Sequence, residues 1–199
     1  ERFGIGFVQG AKAAKSDIKI MYNYSGTFSD TNKGKTLAAT MYDSGADVIF
    51  VAAGNTGNGV ISEAKERGNL DMSKDGEIKH WVVGVDKDQY EEGIFKGKDK
   101  GGKEYQKSVI LTSAVKNIEV AVTKILNEIK ENKFEKGEHI FGIKENGVGL
   151  PKENPNLSDD NKTKIDKAIE ELKSGKVEVV GTGDELKAKG SVTNLEGEL

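Results

Sequence analysis

The chain has 199 residues, with 30 basic and 33 acidic side chains and a formal net charge of −3. That length suits one domain of ordinary size, or one lobe with an appendage, and is enough to bury a real core. Near-neutral charge argues against a nucleic-acid binder, and zero cysteines exclude disulfides, thiolate metal sites and cysteine nucleophiles from this chain. No apolar run approaches the ~20 residues of a membrane helix.

The sequence opens Glu1-Arg2-Phe3, with no initiator methionine and no basic–apolar–small signal-peptide pattern. Phe3, Phe7, Val8, Ala11 and Ala14 recur at helical spacing, so residues 1–15 read as a helix already under way. The expectation is a piece of a longer protein. Residues 18–24 read as a strand. Residues 25–30 form a polar turn, and Ser29 or Asp30 could cap a helix running to about Ser44, where Gly45 ends it. Residues 47–53 are a continuous apolar, β-branched run, the pattern of a strand buried on both faces. Residues 54–59 are a glycine-rich loop, followed by a helix to Arg67. Strands are expected at 79–85, 108–112, 139–143 and 177–180, and helices at 117–131 and 161–173. Strands alternating with helices of this length predict an α/β fold with a parallel sheet flanked by helices. Such sheets bind ligands at the carboxyl ends of their strands, which points to the loops after Tyr24, Ala53, Val85 and Thr112.

Two polar segments read as insertions. Residues 69–79 look loop-like. Residues 93–107 carry Lys96, Lys98, Lys100, Lys103 and Lys107 among four glycines. They read as an exposed hairpin or loop; Asp99 and Glu104 dilute them as a phosphate or lipid patch. The tail from Gly181 is polar and expected to be peripheral.

Four residues stand at the predicted strand ends. Phe28 is an aromatic ring in a polar turn, either a stacking platform for a flat ligand or a loop anchor. Gly54 opens a loop that can aim backbone N–H groups and a helix N-terminus at a polar ligand, or simply adopt a turn needing positive φ. That loop lacks the lysine ending of a phosphate-binding loop and the spacing of a dinucleotide fingerprint. Asp86 ends a strand where its carboxylate could accept sugar hydroxyls, or cap the next turn. Lys116 follows a strand where a crossover would leave the sheet. His80 and His139 are in no metal-ligand spacing, no nucleophile has a convincing base, and Trp81 reads as core. The expectation is no catalysis, no metal and no cofactor.

Six stretches carry a resemblance. They are FGIGFVQGAK (3–12), YSGTFSD (24–30), GKTLAATMYDSGADVIFVAAGNTGNGV (34–60), GVDKDQY (84–90), LTSAVKN (111–117) and ENGVGL (145–150). Together they resemble the basic membrane protein family of bacterial surface lipoproteins, the PnrA-type purine-nucleoside-binding proteins of ABC transporters. The resemblance covers residues 1 to about 150, in the family's order.

The resemblance implies a type I periplasmic-binding-protein fold of two α/β lobes, a ligand clamped between them. Residues 1–150 would be the second lobe with crossover segments, the first lobe missing. Residues 151–199 would be a helix, strand and tail packing on the lobes. It implies an aromatic at Phe28 stacked on a purine, Asp86 and Lys116 on the ribose side, and backbone contacts from Gly54. The implied function is a solute-binding lipoprotein of an ABC importer, not an enzyme. It would capture guanosine, inosine or adenosine and pass it to the transporter's membrane subunits. It would stand at the cell surface or in the periplasm, by a lipid anchor not in this chain. A ligand-sensing regulatory module and a surface interaction protein are the alternatives. Without its first lobe, the exposed cleft face is expected to favour self-association.

Overall fold

The computed structural model describes residues 2–188 together with 195 and 196. Its elements are α1 (Arg2–Ala14), β1 (Ile20–Met21), α2 (Thr31–Asp43), β2 (Val48–Phe50), α3 (Thr56–Lys74), β3 (Trp81–Asp86), β4 (Ile94–Lys98), β5 (Glu104–Ser108), β6 (Ile110–Lys116), α4 (Ile118–Lys130), β7 (Val148–Gly149), α5 (Asp159–Lys173), α6 (Gly183–Ala188) and β8 (Leu195–Glu196). The main sheet has the order β2-β3-β6-β7. Its first three strands are parallel and β7 is antiparallel to β6. This is the predicted α/β fold with a mostly parallel sheet.

The principal core lies between this sheet and the α2–α3 pair. Ala38, Tyr42, Ile49, Val51, Val60, Ile61, Ala64, Val82, Val109 and Ile110 are buried in it. A smaller cluster, Ile5, Val8, Ile20 and Val180, holds α1 against β1. Lys12 closes the end of α1: its buried ammonium donates to the carbonyls of Ser16 and Ile18. That is the favourable charge for a helix C-terminus.

Two helices, α2 and α5, start at side-chain caps. Asp30 accepts from the Lys33 N–H, and Ser158 accepts from the Asn161 N–H. Asp30 is one of the two predicted caps of the second helix.

Several expected elements differ. The helix after the glycine loop begins at Thr56, so Gly57 and Gly59 are helical, and it runs on to Lys74 rather than stopping at Arg67. Residues 69–74 are polar yet helical because Asp71 and Met72 turn inward. The Asp71 carboxylate accepts from the Lys79 N–H and meets His80 Nδ1 at 2.7 Å, so burial leaves it paired. The strand expected at 18–24 shrinks to Ile20–Met21, whose ladder partner is the equally short β8. The strand expected at 47–53 is Val48–Phe50. Ile49 and Val51 are buried, while Val48 and Phe50 are half-buried, because β2 lies at one edge of the described sheet. The strand expected at 108–112 is displaced to Ile110–Lys116.

No strand forms at 139–143. There the His139 ring pairs with the Glu135 carbonyl and stacks on Phe134 at 5.4 Å, both local contacts. Residues 177–180 are also outside any ladder. The Gln9 amide stands in for a neighbouring strand, donating to the Glu178 carbonyl and accepting from the Val180 N–H. Trp81, expected in the core, is half-buried. Part of the tail beyond Gly181 lies outside the described residues.

The segment 93–107 is the expected hairpin, β4 pairing antiparallel with β5. It occupies the connection between the parallel neighbours β3 and β6, where a helix is the usual crossover. Phe95 buries its ring there, and Tyr105 meets it edge to face at 5.9 Å and donates to Asn69 of α3.

Candidate ligand-binding site

Three of the parallel strands end side by side, and each end carries one of the predicted residues. After β2, Gly54 adopts φ +54, a conformation that suits glycine, and its Cα faces the Phe28 backbone. Buried Thr56 then clamps the 25–30 turn onto this loop. Its N–H donates to the Phe28 carbonyl at 3.3 Å, its hydroxyl donates to the Thr27 carbonyl at 3.1 Å, and that same oxygen accepts from the Asp30 N–H at 3.2 Å. Thr56 is 1% exposed, so these bonds are shielded from water. The turn is therefore fixed while the Phe28 ring, 74% exposed, projects from it. Phe28 is not a packed loop anchor.

The glycine loop is organised for packing as well as for the turn. The N–H groups of Thr56, Gly57 and Asn58 are each satisfied by nearby carbonyls. Those three donors are committed within the loop and the 25–30 turn.

At the end of β3, Asp86 has φ 70, a left-handed conformation that aspartate tolerates better than most residues. The following turn is braced by Gln89, whose side-chain oxygen accepts from the Val85 N–H and whose own N–H donates to Ser113 Oγ of β6. Asp86 does not cap a helix there; residues 87–93 form bends and turns.

At the end of β6, Lys116 Nζ lies 2.8 Å from Asp86 Oδ1. Their side chains remain 44% and 55% exposed, so the pair faces solvent and can exchange partners with a ligand. β7 secures this end of the sheet through the pairing of Lys116 with Val148. Asn117 anchors the approach: its N–H donates to the Gly147 carbonyl and its amide to the Asn146 carbonyl. The stretches 111–117 and 145–150 are thus neighbours in space. Lys116 also lies over the Phe3 ring, 5.0 Å from its centroid.

The structure brings Asp86 and Lys116 into contact and joins Phe28 to Gly54. It puts both pairs at the carboxyl ends of adjacent parallel strands. Sequence reasoning missed Thr56, Gln89, Ser113 and Phe3 as supports. All four lie within the resembling stretches, but their partners are non-local and only the fold reveals them. His80 and His139 serve structural contacts elsewhere. Two concave surfaces, one on α4 and one between residues 150–157 and α5, are lined by none of Phe28, Gly54, Asp86 or Lys116. No helix among the described residues is long and apolar enough to cross a membrane.

Comparison with known proteins adds to this geometry. Residues 1–181 match the family Bmp, described as ABC transporter substrate-binding protein PnrA-like. The "ABC transporter nucleoside-binding protein BmpA" of Lactococcus lactis subsp. cremoris is 42% identical over 89% of this chain and 48% of its own length. The "CD4+ T-cell-stimulating antigen" of Listeria monocytogenes is 38% identical over 90% of this chain and 48% of its own. "Basic membrane protein D" of Borreliella burgdorferi is 35% identical over 75% of this chain. The chain spans about half the length of the first two relatives. Among solved structures, an ABC transporter solute-binding protein from Aeropyrum pernix K1 superposes with a TM-score of 0.66. It is 22% identical, and the match covers 95% of this chain and 58% of that one, a likeness of fold.

Proposed function

From a chain that belongs to the Bmp family of PnrA-like ABC transporter substrate-binding proteins, we propose that the full-length protein captures a purine nucleoside, guanosine, inosine or adenosine, for import. The observation that carries this reading is the Asp86–Lys116 pair standing exposed at the ends of β3 and β6. A vicinal diol suits such a pair: the carboxylate accepts a hydrogen bond from each hydroxyl while the ammonium donates one to a ligand oxygen. The exposed Phe28 ring supplies a flat apolar face for a base. The Lactococcus lactis relative is itself named a nucleoside-binding protein.

In this reading residues 1–150 are the second ligand-binding lobe with its crossover segments, and residues 151–199 pack on the lobes. Asn154 and Asn156 support that division, since their amides tie the later segment to Thr112, Ser108 and Ile110. A first lobe would close over Phe28 and complete the site. The membrane subunits of an ABC importer are the proposed partners, and a lipid anchor at the outer face of the membrane is the proposed location.

The test is a thermal-shift panel of guanosine, inosine, adenosine, free bases and ribose on the full-length protein. At about 100 Kd a ligand stabilises its receptor by roughly 2.7 kcal/mol. A shift with nucleosides and none with ribose supports the reading. No shift with any nucleoside overturns it.

A further inference from the structure

We propose that Phe3, in the first turn of α1, is a positioning residue for ligand capture: its ring holds the Lys116 ammonium beside Asp86. This rests on the reading that Asp86 and Lys116 meet the ligand. Lys116 Nζ has two neighbours of opposite kind. Asp86 Oδ1 lies 2.8 Å away, and the Phe3 ring centroid lies 5.0 Å away. An ion pair this exposed holds geometry weakly, because two long side chains must give up rotamer freedom and water screens the attraction. A cation set over an aromatic face gains a second restraint from a direction the carboxylate does not supply.

The ring is itself fixed. Phe3 packs on Phe50 at 6.4 Å with a 42° tilt, and Phe7, one helical turn on, stacks against the same Phe50 at 4.9 Å and 17°. The two phenylalanines are four residues apart and so share a face of α1. Ile5 and Val8, on another face, are buried in the small cluster with Ile20 and Val180. Helix α1 therefore has two apolar attachments. One holds it to β1; the other sets aromatic rings against the end of β2 and the end of β6. Phe50, Asp86 and Lys116 are the terminal residues of β2, β3 and β6. Phe3 thereby links the placement of α1 to the cation of the polar pair.

The consequence for binding is preorganisation. Without the ring, the lysine stem samples more rotamers, and a ligand must order it on arrival. Affinity falls, and the fall depends on Lys116 being present. A packing role alone would lower stability without that dependence.

The experiment uses the full-length protein carrying this sequence, with inosine or guanosine binding followed by calorimetry. The variants are Phe3→Leu, Phe3→Tyr, Lys116→Met and the Phe3→Leu/Lys116→Met double variant. The expected result is at least a fivefold weaker Kd for Phe3→Leu, near wild-type affinity for Phe3→Tyr, and no further loss when Phe3→Leu is added to Lys116→Met. In the ligand-free protein, the Lys116 ε-methylene NMR signal should be shifted upfield by the ring and return toward the ordinary position in Phe3→Leu. Unchanged affinity in Phe3→Leu, or an equal loss with and without Lys116, overturns the positioning role while wild-type binding stands. Wild-type protein that binds no nucleoside overturns instead the function proposed above, and the ligand role of Phe3 falls with it.

Discussion

Gly59 of α3 and Thr31 of α2 approach so closely that a Cβ on the glycine would lie 1.9 Å from the Thr31 carbonyl oxygen. Gly34 does the same in the other direction, its missing Cβ facing the Thr56 carbonyl at 2.0 Å. These contacts are against backbone, which cannot swing aside. Gly59→Ala is therefore expected to force α2 and α3 apart and cost about 2–3 kcal/mol. Urea unfolding of the variant and the wild type measures it; a loss below about 0.5 kcal/mol would mean that the two helices are free to slide.

Thr56 supplies a hydroxyl that both donates and accepts. Thr56→Val keeps the volume but removes the bonds to Thr27 and Asp30. The expected cost is about 1–3 kcal/mol, because the Thr27 carbonyl and the Asp30 N–H lose a shielded partner. The local effect should exceed the global one. Amide exchange in residues 26–30 is expected to accelerate more than exchange in β3, and uniform acceleration would count against the clamp.

In the full-length protein, Phe28→Ala and Asp86→Ala are each expected to weaken nucleoside binding more than tenfold, about 1.4 kcal/mol or more. Phe28 is exposed, so its change should leave the melting temperature of the ligand-free protein nearly unmoved, whereas Asp86→Ala should lower it modestly because alanine suits φ 70 less well than aspartate. Unchanged affinity in both would remove these two residues from the site.

Tyr42 gives a pH prediction. Its ring is buried, its hydroxyl donates to the Trp81 carbonyl, and burial pushes its phenol far above the ordinary value of 10.0. The neutral form is the one that the fold accepts. A folded-state pKa above the unfolded one contributes stability that is complete below about pH 10 and lost as pH climbs beyond it. Alkaline unfolding should therefore steepen above pH 10 in the wild type and be shallower in Tyr42→Phe. That variant starts lower by about 1 kcal/mol for its missing hydrogen bond. Parallel alkaline curves for the two proteins would show that Tyr42 ionises freely.

The helices were legible because their information is local. Apolar spacing marked α1 and α4, a charged run marked α5, and Asp30 announced α2. Strand extents were less legible because a strand exists only against a partner. Residues 18–24 and 177–180 have strand-like sequences, yet one finds a two-residue ladder and the other is served by the Gln9 side chain. Polarity misled at 69–74, where the inward Asp71 finds partners in the Lys79 N–H and the His80 ring. At the candidate site, position at a strand end singled out Asp86 and Lys116, and the contact between them follows from the sheet order. That Phe28 stands free while Thr56 holds its turn could not be read from sequence, since the two lie in different elements joined only by folding.

The hairpin that replaces a helix between β3 and β6 also bears on how the sheet assembles. Parallel neighbours can pair only after the chain between them has closed into a loop, and that closure has an entropic cost that grows with length. Hairpins zip locally, in about 1–10 μs, ahead of most long-range contacts. Once β4 and β5 have joined, the Val109 N–H reaches the Gly93 carbonyl at 3.1 Å, and the ends of the excursion are already together. The remaining search from Asp86 to Ile110 then spans a few residues. The hairpin is thus a kinetic splint for the β3–β6 seam, and the speed at which Asp86 and Lys116 become neighbours depends on a segment that touches neither.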